Sequence, residues 1–206
     1  MFTTRAQAGR LLSEKLASHR GSDALIVGLP RGGVVVASSL AQELVLPLDA
    51  LVVKKIPSPF QPEFGIGALA PDNVFYIDWK LVHRVGADED YIKSQIRQLA
   101  DQLKQKILLY RKGRKPLIVR EKTVVVVDDG AATGATLEAA IKWLRKKKAR
   151  RIVVGLPVAP PEVVAKIKPE VDELVVLETP GDFNAVGQFY KNFPQVEDSE
   201  VVKLLQ

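Results

Sequence analysis

The chain contains no cysteine among its 206 residues, which excludes a disulfide framework or a thiolate metal site and fits a reducing compartment. Histidine is nearly absent as well. His19 and His83 are the only two and fall on unrelated segments, so a histidine metal pair is not expected. Long apolar runs are missing: the opening "MFTTRAQAGR" lacks the core of a signal peptide, and no later run is long enough to span a bilayer. Together these absences predict a soluble, cytoplasmic protein without a membrane partner. Aromatic residues are scarce, and none is interleaved with the densest basic run, "RKKKARR" from Arg145 to Arg151. That run therefore reads as the solvated C-terminal end of a helix, where cations complement the macrodipole, and nucleic acid is not the expected partner.

What is present is a basic surplus of 30 Lys and Arg over 24 Asp and Glu, a formal charge of +6, which favours anionic ligands. The length suits a single domain over residues 1–206, without internal repeats or low-complexity segments. Apolar runs alternate with helical patterns, which predicts an α/β fold: an open, mostly parallel sheet with helices on both faces. "TTRAQAGRLLSEKLASH" reads as a first helix capped by Thr3 or Thr4, with Ala8, Leu11, Leu12 and Leu16 on one face. "ALIVGL", "LDALVV", "TVVVVD", "RIVVGLPVA" and "DELVVLE" read as buried strands, and "ALA" and "NVFYID" as a short hairpin around "PDN". Ile92, Ile96, Leu99, Leu103, Ile107 and Tyr110 recur at helical spacing, predicting a long inserted helix over about 88–112. Three prolines and two glycines between Lys54 and Gly67 argue against a regular element there, so 54–67 is expected to be a flexible lid loop. The segment from about 179 to 206 is expected to form a small C-terminal hood.

The chemistry concentrates in "VVVVDDGAATGAT", Val124 to Thr136. A buried parallel strand delivers Asp128 and Asp129 to its carboxyl end, where ligands of open α/β sheets bind. The small-residue loop behind them, Gly130, Ala131, Ala132, Thr133, Gly134 and Thr136, leads into a helix, so backbone amides and hydroxyls converge as a phosphate cradle. The loop lacks the lysine of "GxxxxGK[ST]" and the spacing of "GxGxxG", which excludes a triphosphate P-loop and a dinucleotide fingerprint. Carboxylates beside a phosphate cradle would repel the ligand unless they accept hydrogen bonds from sugar hydroxyls, so the ligand that suits both is a ribose 5-phosphate.

These thirteen residues resemble the signature of the type I phosphoribosyltransferases, and the whole-chain pattern, with "EFGIGALA" and "AVGQFY", resembles a bacterial group of uncharacterised members. The resemblance implies that Asp128 and Asp129 bind the ribose hydroxyls of phosphoribosyl pyrophosphate (PRPP), and that Gly130 to Thr136 bind its 5-phosphate. "GLPRGGVVVA" is similar to the family's pyrophosphate loop, which assigns pyrophosphate to Pro30, Arg31, Gly32 and Gly33. The Lys54 to Gly67 excursion falls where the family has its catalytic loop. Lys54 or Lys55 would neutralise pyrophosphate there, and Glu63 would touch the incoming nucleophile.

The implied reaction displaces pyrophosphate from the anomeric carbon of PRPP by a nitrogen nucleophile, through an oxocarbenium-like transition state. Mg²⁺ is the implied cofactor, held mainly by PRPP oxygens, with Asp128 and Asp129 reaching it through water. In the family, members specific for 6-oxopurines commonly carry an acidic residue where this chain has Ala132, so 6-oxopurine transfer by that route is not expected, and the form "DDxxATGxT" is more similar to that of the adenine phosphoribosyltransferases. The acceptor is expected to be a small nitrogen heterocycle, stacked in the hood by Phe183, Phe189 or Tyr190. The implied setting is nucleotide salvage, and surplus apolar surface on the long helix predicts a homodimer. Two other classes stand beside it: a non-catalytic PRPP sensor that keeps the same cradle, and a nucleic-acid regulator that would use the basic surface. The retained "KK" and the long excursion favour the transferase.

Overall fold

In the computed structural model, which describes residues 1–61 and 64–206, α1 (Arg5–Lys15) starts at Thr4, whose hydroxyl accepts the Gln7 amide at 3.2 Å. β1 (Leu25–Gly28), α2 (Gly32–Leu44) and β2 (Leu48–Ala50) follow. Next come β3 (Lys54–Pro57), β4 (Gly65–Ala70), β5 (Val74–Ile77), α3 (Trp79–Arg84) and α4 (Glu89–Arg111). The chain then forms β6 (Thr123–Val127), α5 (Ala135–Lys146), β7 (Arg151–Val158), α6 (Pro161–Ile167), β8 (Glu173–Glu178) and α7 (Asp198–Leu204).

Five strands make one parallel sheet in the order β2-β1-β6-β7-β8. Every residue of β6 is buried, because helices cover both faces and the valine run needs no polar alternation. One face packs Val124 and Val126 against Leu137, Ile141 and Leu144 of α5, and the other packs Val125 and Val127 against Leu12 of α1 and Leu40 of α2. Gly28 pairs with Val127, so β1 and β6 end side by side. That register brings the two glycine-containing loops together.

The excursion differs from the expected loop. Its ends are strands: β3 and β4 pair antiparallel, Lys54 opposite Leu69 and Ile56 opposite Gly67, and β5 completes a three-stranded sheet. Pro57 is compatible with a strand because it sits at the strand end, where the register shifts and a missing N–H is tolerated. The β4–β5 hairpin around Pro71 to Asn73 matches the expectation, and Trp143 and Lys147 anchor its Asp72 at 2.8 and 2.9 Å. α4 begins at Asp88, which caps the Tyr91 amide, and lays Ile92, Leu99, Leu103 and Tyr110 into a core with Ile56, Ile66, Val201 and Leu205. Most of its apolar stripe is therefore covered within the chain, leaving Leu108 and Leu109 outside at 73% and 37% exposure.

The tail is zipped to the N-terminus. The Phe2 amide donates to Phe189 O at 2.7 Å, and the Lys191 and Asn192 amides donate back to Phe2 O and Thr3 O at 2.8 and 3.0 Å. No helix among the described residues is long and apolar enough to cross a membrane.

Candidate active site at the ends of two central strands

Asp128 and Asp129 leave β6 at its carboxyl end and lie against the turn that follows β1. Gly32 and Gly33 have no side chains because the carboxylates occupy that space. A Cβ on Gly32 would run into the Asp129 carboxylate and the Arg5 guanidinium, and one on Gly33 would lie 2.8 Å from Asp128 Oδ1. The Pro30–Arg31 peptide is cis, and Gly32 opens α2 directly behind it. The two motifs identified separately in the sequence thus share one surface.

Burial dominates the electrostatics of the pair. It pushes Asp128 well above the ordinary carboxylate range, with the neighbouring Asp129 charge adding to the shift, while the Asp129 amide on Asp128 Oδ1 at 2.9 Å opposes it. Burial also raises Asp129, against a hydrogen bond and charge from Arg5 that pull it down. The pair on its own therefore holds a proton more readily than a lone carboxyl, and it becomes comfortable as two carboxylates only when cationic or hydroxylic partners arrive.

Arg5 is the residue that the motifs did not reveal. Its Nε donates to Asp129 Oδ2 at 2.7 Å, Nη1 donates to Pro194 O at 2.8 Å, and the guanidinium lies 3.6 Å from the centre of the Phe193 ring. It is 8% exposed. One signal was available: Arg5 falls on the same face of α1 as Ala8 and Leu12, where a solvated arginine would not be placed.

In the cradle, the Ala131 amide is committed to Val158 O at 3.0 Å and so is not available to a phosphate. Thr133 Oγ accepts the Ala135 amide at 3.4 Å, and Gly134 enters α5 in the left-handed region at φ 73°. Among the described residues, the amides of Ala132, Thr133 and Gly134 have no acceptor within the chain. With the hydroxyls of Thr133 and Thr136, they leave a donor-lined loop at the positive end of a twelve-residue helix.

On the other side of the turn, Arg31 and Lys54 line one cavity together with Lys106 and Tyr110 of α4. Lys55 does not join them. Strand alternation sends it to the opposite face of β3, where its stem packs over Gly65. Glu63 lies outside the described residues. The hood aromatics are occupied. Tyr190 is buried, its hydroxyl donates to Asp129 O at 2.6 Å, and its ring lies 5.4 and 4.9 Å from those of Phe2 and Phe193. Phe183 and Phe189 pack on each other at 5.0 Å. Tyr190 is thus a support under Asp129 and does not offer an open stacking face, while Phe183 and Phe189 stay partly exposed.

The donor set suits Mg²⁺ only in part. No group of three or more potential metal-ligating side chains occurs among the described residues, and Asp129 already carries Arg5. Two hard carboxylates beside a phosphate-binding loop fit an ion held chiefly by ligand oxygens and water.

The model of the phosphoribosyl transferase domain matches residues 4–190. Two Mycobacterium tuberculosis proteins provisionally named phosphoribosyl transferases, MT0597 and Rv0571c, are 40% identical over 205 residues. The match takes in all of this chain and 46% of each of them, so the chain spans about half the length of these relatives. Among solved structures, TT1426 from Thermus thermophilus superposes with a TM-score of 0.81 at 38% identity, over 99% of this chain and 97% of that one. A Neisseria gonorrhoeae protein crystallised with bound ppGpp shares the fold at TM-score 0.54 and 18% identity, over 100% and 94% of the two chains.

Proposed function

The chain belongs to the phosphoribosyl transferase family, and on that premise we propose that it transfers the 5-phosphoribosyl group of PRPP to a nitrogen of a small heterocycle, releasing pyrophosphate. The observation that carries this reading is the contact of the Asp128–Asp129 pair with Gly32 and Gly33. It supports the reading because the residues assigned to ribose and those assigned to pyrophosphate lie side by side, as one ligand carrying both groups would require.

In this reading the C1–O bond to pyrophosphate breaks, the electron pair leaves with pyrophosphate, and the acceptor nitrogen forms the new C1–N bond and gives up its proton to solvent. Asp128 and Asp129 hold the ribose hydroxyls and favour the positive charge that develops on the ring. The donor-lined loop from Ala132 to Thr136 holds the 5-phosphate, and Arg31 and Lys54 receive the leaving group. When bound, Mg²⁺ would supply charge neutralisation to the pyrophosphate oxygens, with Asp128 and Asp129 reaching it through water. The excursion over 54–67 would act as the lid that excludes water from the activated ribosyl centre. Phe183 and Phe189, still partly exposed, face the acceptor from the hood. The setting is cytoplasmic nucleotide salvage. Leu108 and Leu109 on α4 are the surface for a homodimer, which a monomeric mass in solution would refute.

The test is pyrophosphate release from PRPP and Mg²⁺ across purines, pyrimidines and smaller nitrogen heterocycles. Acceptor-dependent release supports the transferase. PRPP binding without release for any acceptor favours a sensor.

A further inference from the structure

A second cluster of charge lies beside the Pro30 to Gly33 turn, and all of it except Arg31 comes from elements outside both motifs. Pro30, Arg31, Val52, Lys54, Lys106 and Tyr110 line a cavity of about 350 Å³, within the usual range of small-ligand clefts. Arg31 and Lys54 have no side-chain hydrogen-bond partner among the described residues. Lys106 is paired with Asp198 at the start of α7, and the Tyr110 hydroxyl donates to the other oxygen of that carboxylate at 2.5 Å. Three cations thus stand against one carboxylate, of which only Lys106 is paired with it, leaving a surplus of two positive charges.

The crowding is felt by the groups themselves. Burial lowers the Lys54 ammonium below its ordinary value, and the nearby charges of Lys106 and Arg31 lower it further against the opposing pull of Asp198. Asp198 is held down by the hydrogen bonds from Lys106 and Tyr110, against its own partial burial. The Lys106 and Asp198 side chains are each about 30% exposed, so the pair stands at the wall of an accessible cleft and not in the core. A surplus of two positive charges matches a diphosphate whose own charge is partly neutralised by a divalent cation.

We infer that Lys106 and Tyr110 of the inserted helix complete the pyrophosphate subsite with Arg31 and Lys54, and that Asp198 is a resident counter-anion which the incoming diphosphate displaces. This rests on the PRPP reading above and extends it. The two partners of one ion pair then have opposite effects: Lys106 attracts the ligand, and Asp198 competes with it. A salt bridge that only joined α4 to α7 would give no such opposition.

The experiment is calorimetric titration of the full chain with inorganic pyrophosphate and Mg²⁺, with circular dichroism to check that each variant is folded. Lys106→Met should weaken binding about tenfold, the scale of one charge-assisted hydrogen bond, and Lys106→Arg should restore it to within about threefold. Asp198→Asn should tighten binding about threefold, since the competitor's charge is gone while its shape remains. Asp198→Ser serves the same purpose if the amide variant is poorly folded. Binding by the wild type that is unchanged in folded Lys106→Met, or weakened in Asp198→Asn or Asp198→Ser, overturns the inference and leaves the PRPP reading standing. A wild type that binds neither pyrophosphate nor PRPP overturns both.

Discussion

The two sides of the Gly32–Gly33 turn carry opposite surpluses of charge. On the β6 side, Asp128 and Asp129 are raised by burial and by each other, with Arg5 as a partial counter-ion. On the β3 and α4 side, Arg31, Lys54 and Lys106 line one cleft, with Asp198 paired to Lys106 as the counter-charge. Each side is uncomfortable on its own for the opposite reason. On the proposed reading, a single ligand with a hydroxylated, cation-like ring at one end and a diphosphate at the other would relieve both. The construction differs too: the acidic side grows from the five-stranded sheet, whereas the basic side, apart from Arg31 on the turn after β1, is assembled from the three-stranded sheet, the long helix and the C-terminal helix.

The most severe challenge to this contrast is to discharge its acidic side. Asp128→Asn with Asp129→Asn should lower acceptor-dependent pyrophosphate release by roughly 10²–10³ per carboxylate, the scale of a lost electrostatic stabiliser, in a steady-state assay. Removing the counter-ion instead should damage the fold. Arg5→Met leaves Asp129 buried and unpaired, and breaking a buried pair in this way costs about 3–5 kcal/mol, readable as a lower urea midpoint. Gly32→Ala drives a methyl group into the Asp129 carboxylate, and overpacking of this kind costs about 1–3 kcal/mol; PRPP affinity measured by calorimetry should fall with it.

A milder change probes the acidic side through pH. Because the folded Asp128 value lies above the unfolded value near 3.9, the unfolded chain releases its proton first. The pair's contribution to stability is then fully present below about pH 4 and is lost as pH rises through the raised folded value. Asp128→Asn should remove that loss and make the unliganded protein more stable than the wild type at neutral pH while impairing turnover, which paired thermal melts across pH would detect. The smallest effect is expected for Tyr190→Phe, which takes one hydrogen bond from Asp129 O and should cost about 1 kcal/mol in denaturant titrations.

Much of the acidic side is legible in the sequence. Four valines before two aspartates announce a buried strand and its carboxyl end, and the caps Thr4 and Asp88 and the spacing of α4 follow from local rules. The basic side is legible only in part. Arg31 and Lys54 stand next to recognisable turns and prolines, but Lys106 and Asp198 are 92 residues apart, and nothing in either neighbourhood points to the other. Arg5 and Asp129, 124 residues apart, share that difficulty, since long-range pairing leaves no periodic trace. The composition of the excursion points to a loop, yet its ends pair as strands, because prolines and glycines mark loops and also the ends and bulges of strands. Aromatic residues in the hood suggest stacking faces, but packing the tail onto the N-terminus uses Tyr190 first.

The measurement that tests the account most directly is calorimetric titration of PRPP with Mg²⁺ into the wild type and into the Asp128→Asn/Asp129→Asn variant. One PRPP per chain is expected in the wild type, with binding weakened at least tenfold in the folded double variant, roughly the scale of a lost charge-assisted hydrogen bond. Equal affinity in the two proteins would contradict it, because the carboxylate pair would then have no part in holding the ligand.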